Sequence, residues 1–199
     1  HVYVGGPIDD TIALFTRDAA TGQLTVVTDE VDGITAINGA GTLELSPDGA
    51  NLYNVSSASA EVTVEDSEAI DGARSLVEII DNDTPGVSGL VNAYLPVISP
   101  DGANLYVVAA SFAKGSVENS RLTVCDRDTA DGTLTYNSEV EAANGRFVWA
   151  EISGDGRHVY AANAVNGGPS AVAVFGRDPG TGTLSFLQDA TLDDDPLYV

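Results

Sequence analysis

Short apolar runs broken by turn residues recur along the whole chain. The tetrapeptide Ser-Pro-Asp-Gly occupies 46–49 and 99–102, and Ser-Gly-Asp-Gly occupies 153–156. Each copy follows an apolar run and leads into a short segment that ends at a tyrosine: Tyr53, Tyr106 and Tyr160. Pro presets the first corner of a tight turn, Asp bonds the backbone two residues on, and Gly accepts a positive φ. The pattern therefore predicts the same β-hairpin three times.

A second motif recurs between the hairpins. It reads Phe-x-Arg-Asp at 15–18 and 175–178 and Cys-x-Arg-Asp at 125–128, each followed by a Gly-x-Leu turn. Such a stretch ends one strand, turns on glycine and starts another. Hairpin and motif together give four strands per unit, and the three tyrosines lie 53 and 54 residues apart. We therefore predict an all-β fold, a β-propeller of four-stranded antiparallel blades with about four blades in this chain.

The two motifs together resemble those of the seven-bladed lactonase-like β-propeller family, which includes 6-phosphogluconolactonases and many secreted repeat proteins of unknown activity. The resemblance extends over nearly the whole chain and implies the propeller fold. It also implies that family lactonases use His, Glu and Arg side chains at one mouth of the central channel to polarise the lactone and activate water. None of those positions can be matched in this sequence, and a fold does not by itself fix an activity.

We expect one propeller domain over 1–199, with blades at about 1–38 plus 193–199, 41–86, 91–143 and 145–191. The first blade lacks an innermost strand. The tail 193–199 is expected to supply it, because a closed ring leaves no free sheet edge. The alternative is that the chain is part of a larger ring, or that two copies associate to complete one, since family members use about seven blades.

The net charge is −22, from 30 acidic residues against 8 lysines and arginines. Such a surface repels phosphates, so we expect neither nucleic acid nor anionic membranes as partners. No apolar stretch is long enough for a membrane insertion. Dense carboxylates are typical of proteins that work at high salt, which favours an extracellular or cell-surface location, or a high-salt cytoplasm. The alternative interpretation is a surface that collects Ca²⁺. The chain starts at His1 within a blade, which leaves room for a preceding segment, removed or left out.

Two glutamates are the candidate site residues. Alignment of the predicted inner strands on their serines places Glu44, Val97 and Glu151 in register. In a four-bladed ring, Glu44 and Glu151 are expected to face each other across the channel. Paired carboxylates bind a cation such as Ca²⁺ or share a proton. The alternative is that each glutamate is hydrogen-bonded at an interface between blades.

Other residues suggest structural roles. His158 occupies a position that is repeated in each unit, which favours a packing or surface role over a catalytic role. Arg17, Arg127 and Arg177 belong to the repeated motif, and we expect each to pair with the following aspartate or with a neighbouring blade. Cys125 replaces the phenylalanine of the other copies and is expected to be a buried core residue that forms no internal disulfide.

The sequence leaves three functions open. The first is an acidic, exported propeller that acts as a binding or structural module with an unknown ligand, without enzymatic activity. The second is a lactone hydrolase of the lactonase-like family with its site at the channel mouth. The third is a segment of a larger surface repeat protein. The sequence has no phosphate-binding loop, no His/Cys metal spacing and no nucleophile elbow.

Overall fold

The computed structural model describes residues 1–6, 11–28, 41–67, 74–109, 120–143, 145–164 and 170–191. All regular secondary structure within these ranges is β-strand, which confirms the all-β prediction. Within the same ranges, no helical segment has the length and apolarity needed to span a bilayer.

The strands form four antiparallel sheets in chain order, which we call blades 1 to 4. Blade 1 has three strands: β1 (Val2–Gly6), β2 (Thr11–Arg17) and β3 (Leu24–Thr28). Blade 2 has four: β4 (Thr42–Leu45), β5 (Asn51–Ser56), β6 (Glu61–Ser67) and β7 (Arg74–Ile80). Blade 3 has four: β8 (Ala93–Ile98), β9 (Asn104–Ala109), β10 (Arg121–Arg127) and β11 (Leu134–Glu141). Blade 4 has four: β12 (Arg146–Ile152), β13 (His158–Ala164), β14 (Ala171–Arg177) and β15 (Leu184–Thr191).

Consecutive blades lie side by side. The first strands of blades 2, 3 and 4 pack against one another in order, β4 beside β8 and β8 beside β12. These strands therefore form the inner wall of the propeller. Blade 1 has no such strand within the described residues. The tail 193–199, expected to supply it, lies outside the described residues.

The repeated hairpin turns form as predicted. In blade 2 the Gly49 amide donates to the Ser46 carbonyl at 2.8 Å, and the Ala50 amide donates to Asp48 Oδ1 at 3.1 Å. Gly49 has a φ of 74°, a value that favours glycine. The turns of blades 3 and 4 contain the same glycine-to-serine backbone bond, each at 2.8 Å.

The core lies between the blades. One cluster joins blades 2 and 3 and includes Tyr53 and Leu105, and a second joins blades 3 and 4 and includes Tyr106 and Phe175. Successive residues of β9 face opposite neighbours, so this strand is buried on both sides. Cys125 is a free cysteine buried in the first cluster, which confirms its predicted place.

Candidate functional site

The inner-strand glutamates occupy equivalent positions in their blades. Glu44 lies opposite Tyr53 in the strand register of blade 2, and Glu151 lies opposite Tyr160 in blade 4. Directly opposed residues of antiparallel strands point to the same face of the sheet. Glu44 therefore lies on the face of blade 2 that packs against blade 3, and Glu151 lies on the equivalent face of blade 4.

Glu44 is half-buried at the interface of blades 2 and 3. The backbone amide of Ile98, in β8, donates a hydrogen bond to the Glu44 carboxylate. Burial is the main cause that raises the Glu44 pKa above its ordinary value, the negative charge of Glu151 adds to it, and the Ile98 bond opposes both. The pKa of Glu44 is thus influenced both by the charge of Glu151 and by a backbone amide of the neighbouring blade.

Glu151 is exposed and contacts a neighbour on its own strand. Trp149 Nε1 donates to Glu151 Oε1 at 3.3 Å. The described ranges contain no group of three or more His, Cys, Asp or Glu side chains placed to hold a metal ion. A cation such as Ca²⁺ held by Glu44 and Glu151 alone stays a prediction.

We expect Glu44→Gln to raise the melting temperature near pH 7 and to have little effect near pH 3. A carboxyl whose pKa is raised on folding binds its proton more tightly in the folded state. Its ionised form therefore opposes folding above the ordinary value of 4.5, and this cost disappears as the pH falls below that value. Glutamine mimics the protonated acid and can still accept the Ile98 bond.

Thermal unfolding of wild type and variant over this pH range measures the effect. The matched variant Glu151→Gln removes the neighbouring charge and should give a smaller gain in the same direction. A Glu44→Gln protein that is less stable than wild type near pH 7 would contradict the assignment of Glu44 as a destabilised carboxylate.

An arginine of blade 3 reaches across to the hairpin of blade 2. Arg127 donates through Nε to the Tyr53 hydroxyl at 2.6 Å, and through Nη2 to Asn51 Oδ1 at 2.6 Å and Asp48 Oδ2 at 3.2 Å. The Tyr53 hydroxyl donates in turn to the Gly132 carbonyl at 2.9 Å. Burial raises the pKa of Tyr53 to about 12, so this hydroxyl remains a donor. We call this arrangement the inter-blade clasp.

The clasp recurs between blades 3 and 4. Arg177 donates to the Tyr106 hydroxyl at 2.8 Å, to Asn104 Oδ1 at 2.6 Å and to Asp101 Oδ1 at 3.0 Å. The Tyr106 hydroxyl donates to the Gly182 carbonyl at 2.8 Å. We expected each repeated arginine to pair either with the following aspartate or with a neighbouring blade. Arg127 and Arg177 both pair with a neighbouring blade.

Between blades 1 and 2 the clasp is reduced. Blade 2 carries Ser67 at the arginine position of the motif, and Ser67 Oγ lies 2.6 Å from the Tyr3 hydroxyl. Sequence reasoning identified the repeated arginines but not their tyrosine partners. The nearly constant spacing of Tyr53, Tyr106 and Tyr160 is the sequence feature from which their shared role in the repeat could have been inferred.

His158 lies on the same face of blade 4 as Tyr160, with ring centroids 6.3 Å apart. It occupies the position of Asn51 and Asn104, the clasp residues of blades 2 and 3. This placement agrees with a role in the repeat rather than in catalysis.

A crevice of about 340 Å³ opens between β11 and the sheet of blade 4. Its lining is mainly apolar and includes Val140, Phe147, Phe175 and Phe186. Phe175 contacts both other phenylalanines edge to face, at centroid distances of 6.0 Å and 5.9 Å. The crevice is therefore a gap in aromatic packing between two blades, with Glu141, Asn163 and Asp189 also in its lining.

Comparison with known proteins identifies the family. Residues 9–199 match the model of the lactonase family with a seven-bladed β-propeller, so the chain belongs to this family. No curated protein sequence matches the chain.

Solved structures share the fold at low sequence identity. A protein assigned as a candidate 6-phosphogluconolactonase from Bacteroides uniformis is 20% identical, with a TM-score of 0.74 over 96% of this chain and 51% of its own. A similarly assigned protein from Bacteroides fragilis is 19% identical, with a TM-score of 0.68 over 97% of this chain and 55% of its own. The periplasmic gluconolactonase of Pseudomonas aeruginosa is 19% identical, with a TM-score of 0.54 over 92% of this chain and 64% of its own. The chain thus spans about half the length of the two Bacteroides proteins.

Proposed function

We propose that this chain contributes its blades to a propeller that hydrolyses a lactone at the mouth of the central channel. The observation that carries the proposal is the match of 9–199 to the lactonase family. The structural similarity to proteins assigned as 6-phosphogluconolactonases supports it at the level of the fold. The activity favoured over a purely binding role is therefore ester-bond hydrolysis.

Lactone hydrolysis needs a group that activates water for attack on the ring carbonyl. Glu44 fits this role because it is half-buried on an inner strand and its raised pKa makes its ionised form a stronger base. Glu151 supplies a second carboxylate on the inner wall. Arg127 and Arg177 are committed to the clasps, so the group that polarises the carbonyl lies elsewhere in the ring.

The charge of the protein bears on the substrate. A net charge of −22 opposes the approach of an anion such as a sugar phosphate. We therefore propose that the substrate is an uncharged sugar lactone.

The test compares the hydrolysis of glucono-δ-lactone and 6-phosphoglucono-δ-lactone by the full protein. The rate is measured at constant pH by titration of the acid that hydrolysis releases. We expect a higher kcat/KM for the uncharged lactone, and a kcat at least about 100-fold lower for Glu44→Gln. The matched control is Glu139→Gln on the outer strand β11, where Glu139 pairs with Arg121, and its kcat should equal that of wild type. Hydrolysis of both lactones at the spontaneous rate would overturn the proposal.

The second candidate is a binding or structural module without catalysis. It is favoured by the structural use of Arg127 and Arg177, which leaves neither to act on a substrate. A stably folded protein that hydrolyses neither lactone is the result expected for this candidate.

A further inference from the structure

We propose that the crevice between blades 3 and 4 binds a small aromatic amine in its protonated, positively charged form. The crevice lies on the side of blade 4 that faces blade 3, next to the core that these two blades share. Its volume of about 340 Å³ falls within the range of small-molecule sites. Neither Glu44 nor Glu151 lines it, so this inference is independent of the proposed function.

The corresponding space between blades 2 and 3 is filled by the chain itself, through the connection 81–92. The Gly89 carbonyl accepts a hydrogen bond from Thr123 Oγ1 at 3.0 Å, and Ser88 Oγ donates to Glu139 Oε2 at 3.3 Å. A Cβ placed on Gly89 would lie 2.5 Å from Glu139 Oε2. The connection therefore packs closely against the outer half of blade 3.

Between blades 3 and 4 the connection is shorter and spans 142–145. In the strand register of blade 4, Ala173 stands where blade 3 has Thr123. Asp189 stands where blade 3 has Glu139. Both Ala173 and Asp189 line the crevice. The crevice is thus the space that the longer connection fills in the preceding interface.

Aromatic rings form much of the wall of this space. Phe175 and Phe186 meet edge to face, and Phe147 lies on the other side of Phe175. Phe186 stands where blade 3 has Tyr136, whose hydroxyl accepts a bond from Ser88 at 3.2 Å. Phenylalanine has no such hydroxyl, so this part of the wall offers a ring alone. Aromatic rings pack against other rings and attract cations to their faces.

Asp189 gives the crevice a negative charge that the chain does not compensate. In blade 3 the Arg121 guanidinium lies 3.2 Å from Glu139. The strand register places Ala171 of blade 4 at the position of Arg121. Within the part of the chain that the structure describes, no hydrogen bond or ion pair involves the Asp189 carboxylate. Glu141, the other carboxylate of the lining, already pairs with Arg121 at 2.8 Å.

A protonated aromatic amine matches both features of the crevice. Its ring packs against Phe175 and Phe186, and its ammonium group donates hydrogen bonds to Asp189, in place of the arginine that blade 4 lacks. The net charge of −22 favours the approach of a cation and opposes that of an anion.

The test measures binding to the full protein by isothermal titration calorimetry near neutral pH. Three probes share a similar body and differ in charge: the cation 2-phenylethylamine, the neutral 2-phenylethanol and the anion 3-phenylpropionate. Low ionic strength is used because salt screens exposed charge pairs. We expect saturable binding of 2-phenylethylamine, with a Kd at least about tenfold lower than for either other probe. Equal affinities for the amine and the alcohol, or no saturable binding of the amine, would overturn the proposal.

Two variants locate the site. Asp189→Asn should raise the Kd of 2-phenylethylamine about tenfold, because it removes the charged acceptor. Phe186→Ala should weaken binding of the amine as well, because it removes part of the aromatic wall. Circular dichroism checks that each variant is folded.

The matched control is Asp66→Asn, which removes the same charge from an exposed position on β6 of blade 2. It should bind 2-phenylethylamine as wild type does. If Asp189→Asn and Asp66→Asn bind the amine with equal affinity, Asp189 does not hold the ligand and the proposal is wrong.

Discussion

Replacement of Arg127 by alanine is expected to lower the free energy of unfolding by about 3 kcal/mol. The Arg127 side chain is fully buried, and its loss leaves the Tyr53 hydroxyl and Asn51 Oδ1 without their donor at the interface of blades 2 and 3. Asp48 is nearly half exposed and can be rehydrated, so its lost ion pair adds little.

Urea denaturation of wild type and variant measures this difference. Arg121→Ala is the control, because it removes an arginine whose partners, Glu139 and Glu141, are also partly exposed. Such surface pairs contribute at most about 1 kcal/mol. If the two variants lose the same free energy, the clasp is not a stabilising feature of the propeller.

The second large effect is expected from Gly182→Ala, which should destabilise the protein by about 3 kcal/mol or more. Gly182 has a φ of 72°, which disfavours any residue with a Cβ by roughly 1–2 kcal/mol. The new methyl group would also lie 2.1 Å from Asn104 Nδ2. Asn104 cannot give way, because Arg177 Nη2 and Asp126 hold its side chain. Backbone strain and overlap therefore add.

Gly49→Ala separates these two contributions. Gly49 has a φ of 74°, close to that of Gly182, but nothing lies within 4 Å of an added Cβ. Only the backbone penalty of roughly 1–2 kcal/mol is expected there. Denaturant midpoints of the two variants give the comparison, and equal losses would show that the contact with Asn104 costs nothing.

The parts of the fold that depend on neighbouring residues could be predicted from the sequence. The turn at 46–49 and the buried place of Cys125 follow from residue types within one repeat. The pairing of Arg127 with Tyr53 could not be predicted, because the two residues lie 74 positions apart and meet only once two blades pack. No local pattern states which neighbouring blade an arginine will face.

The candidate site was harder to predict for a related reason. The register of Glu44 and Glu151 follows from the repeat, and the strand pairing agrees with it. The bond from the Ile98 amide depends on how closely β4 and β8 approach, which the sequence does not specify. Channel residues also differ from blade to blade, as Glu44, Val97 and Glu151 do. The repeated motifs, from which the fold was predicted, therefore do not indicate which channel residues have a function.

The clasp has a consequence for how such a chain changes its number of repeats. Blade 3 carries both halves of the clasp, since its hairpin receives Arg177 and its own Arg127 reaches back to blade 2. A duplicated copy of blade 3 would therefore carry the hairpin that accepts an arginine on one face and its own arginine on the other. It could pack between its neighbours without any new contact surface. Duplication of the gene segment that encodes blade 3 would therefore repeat a complete clasp without altering the other junctions.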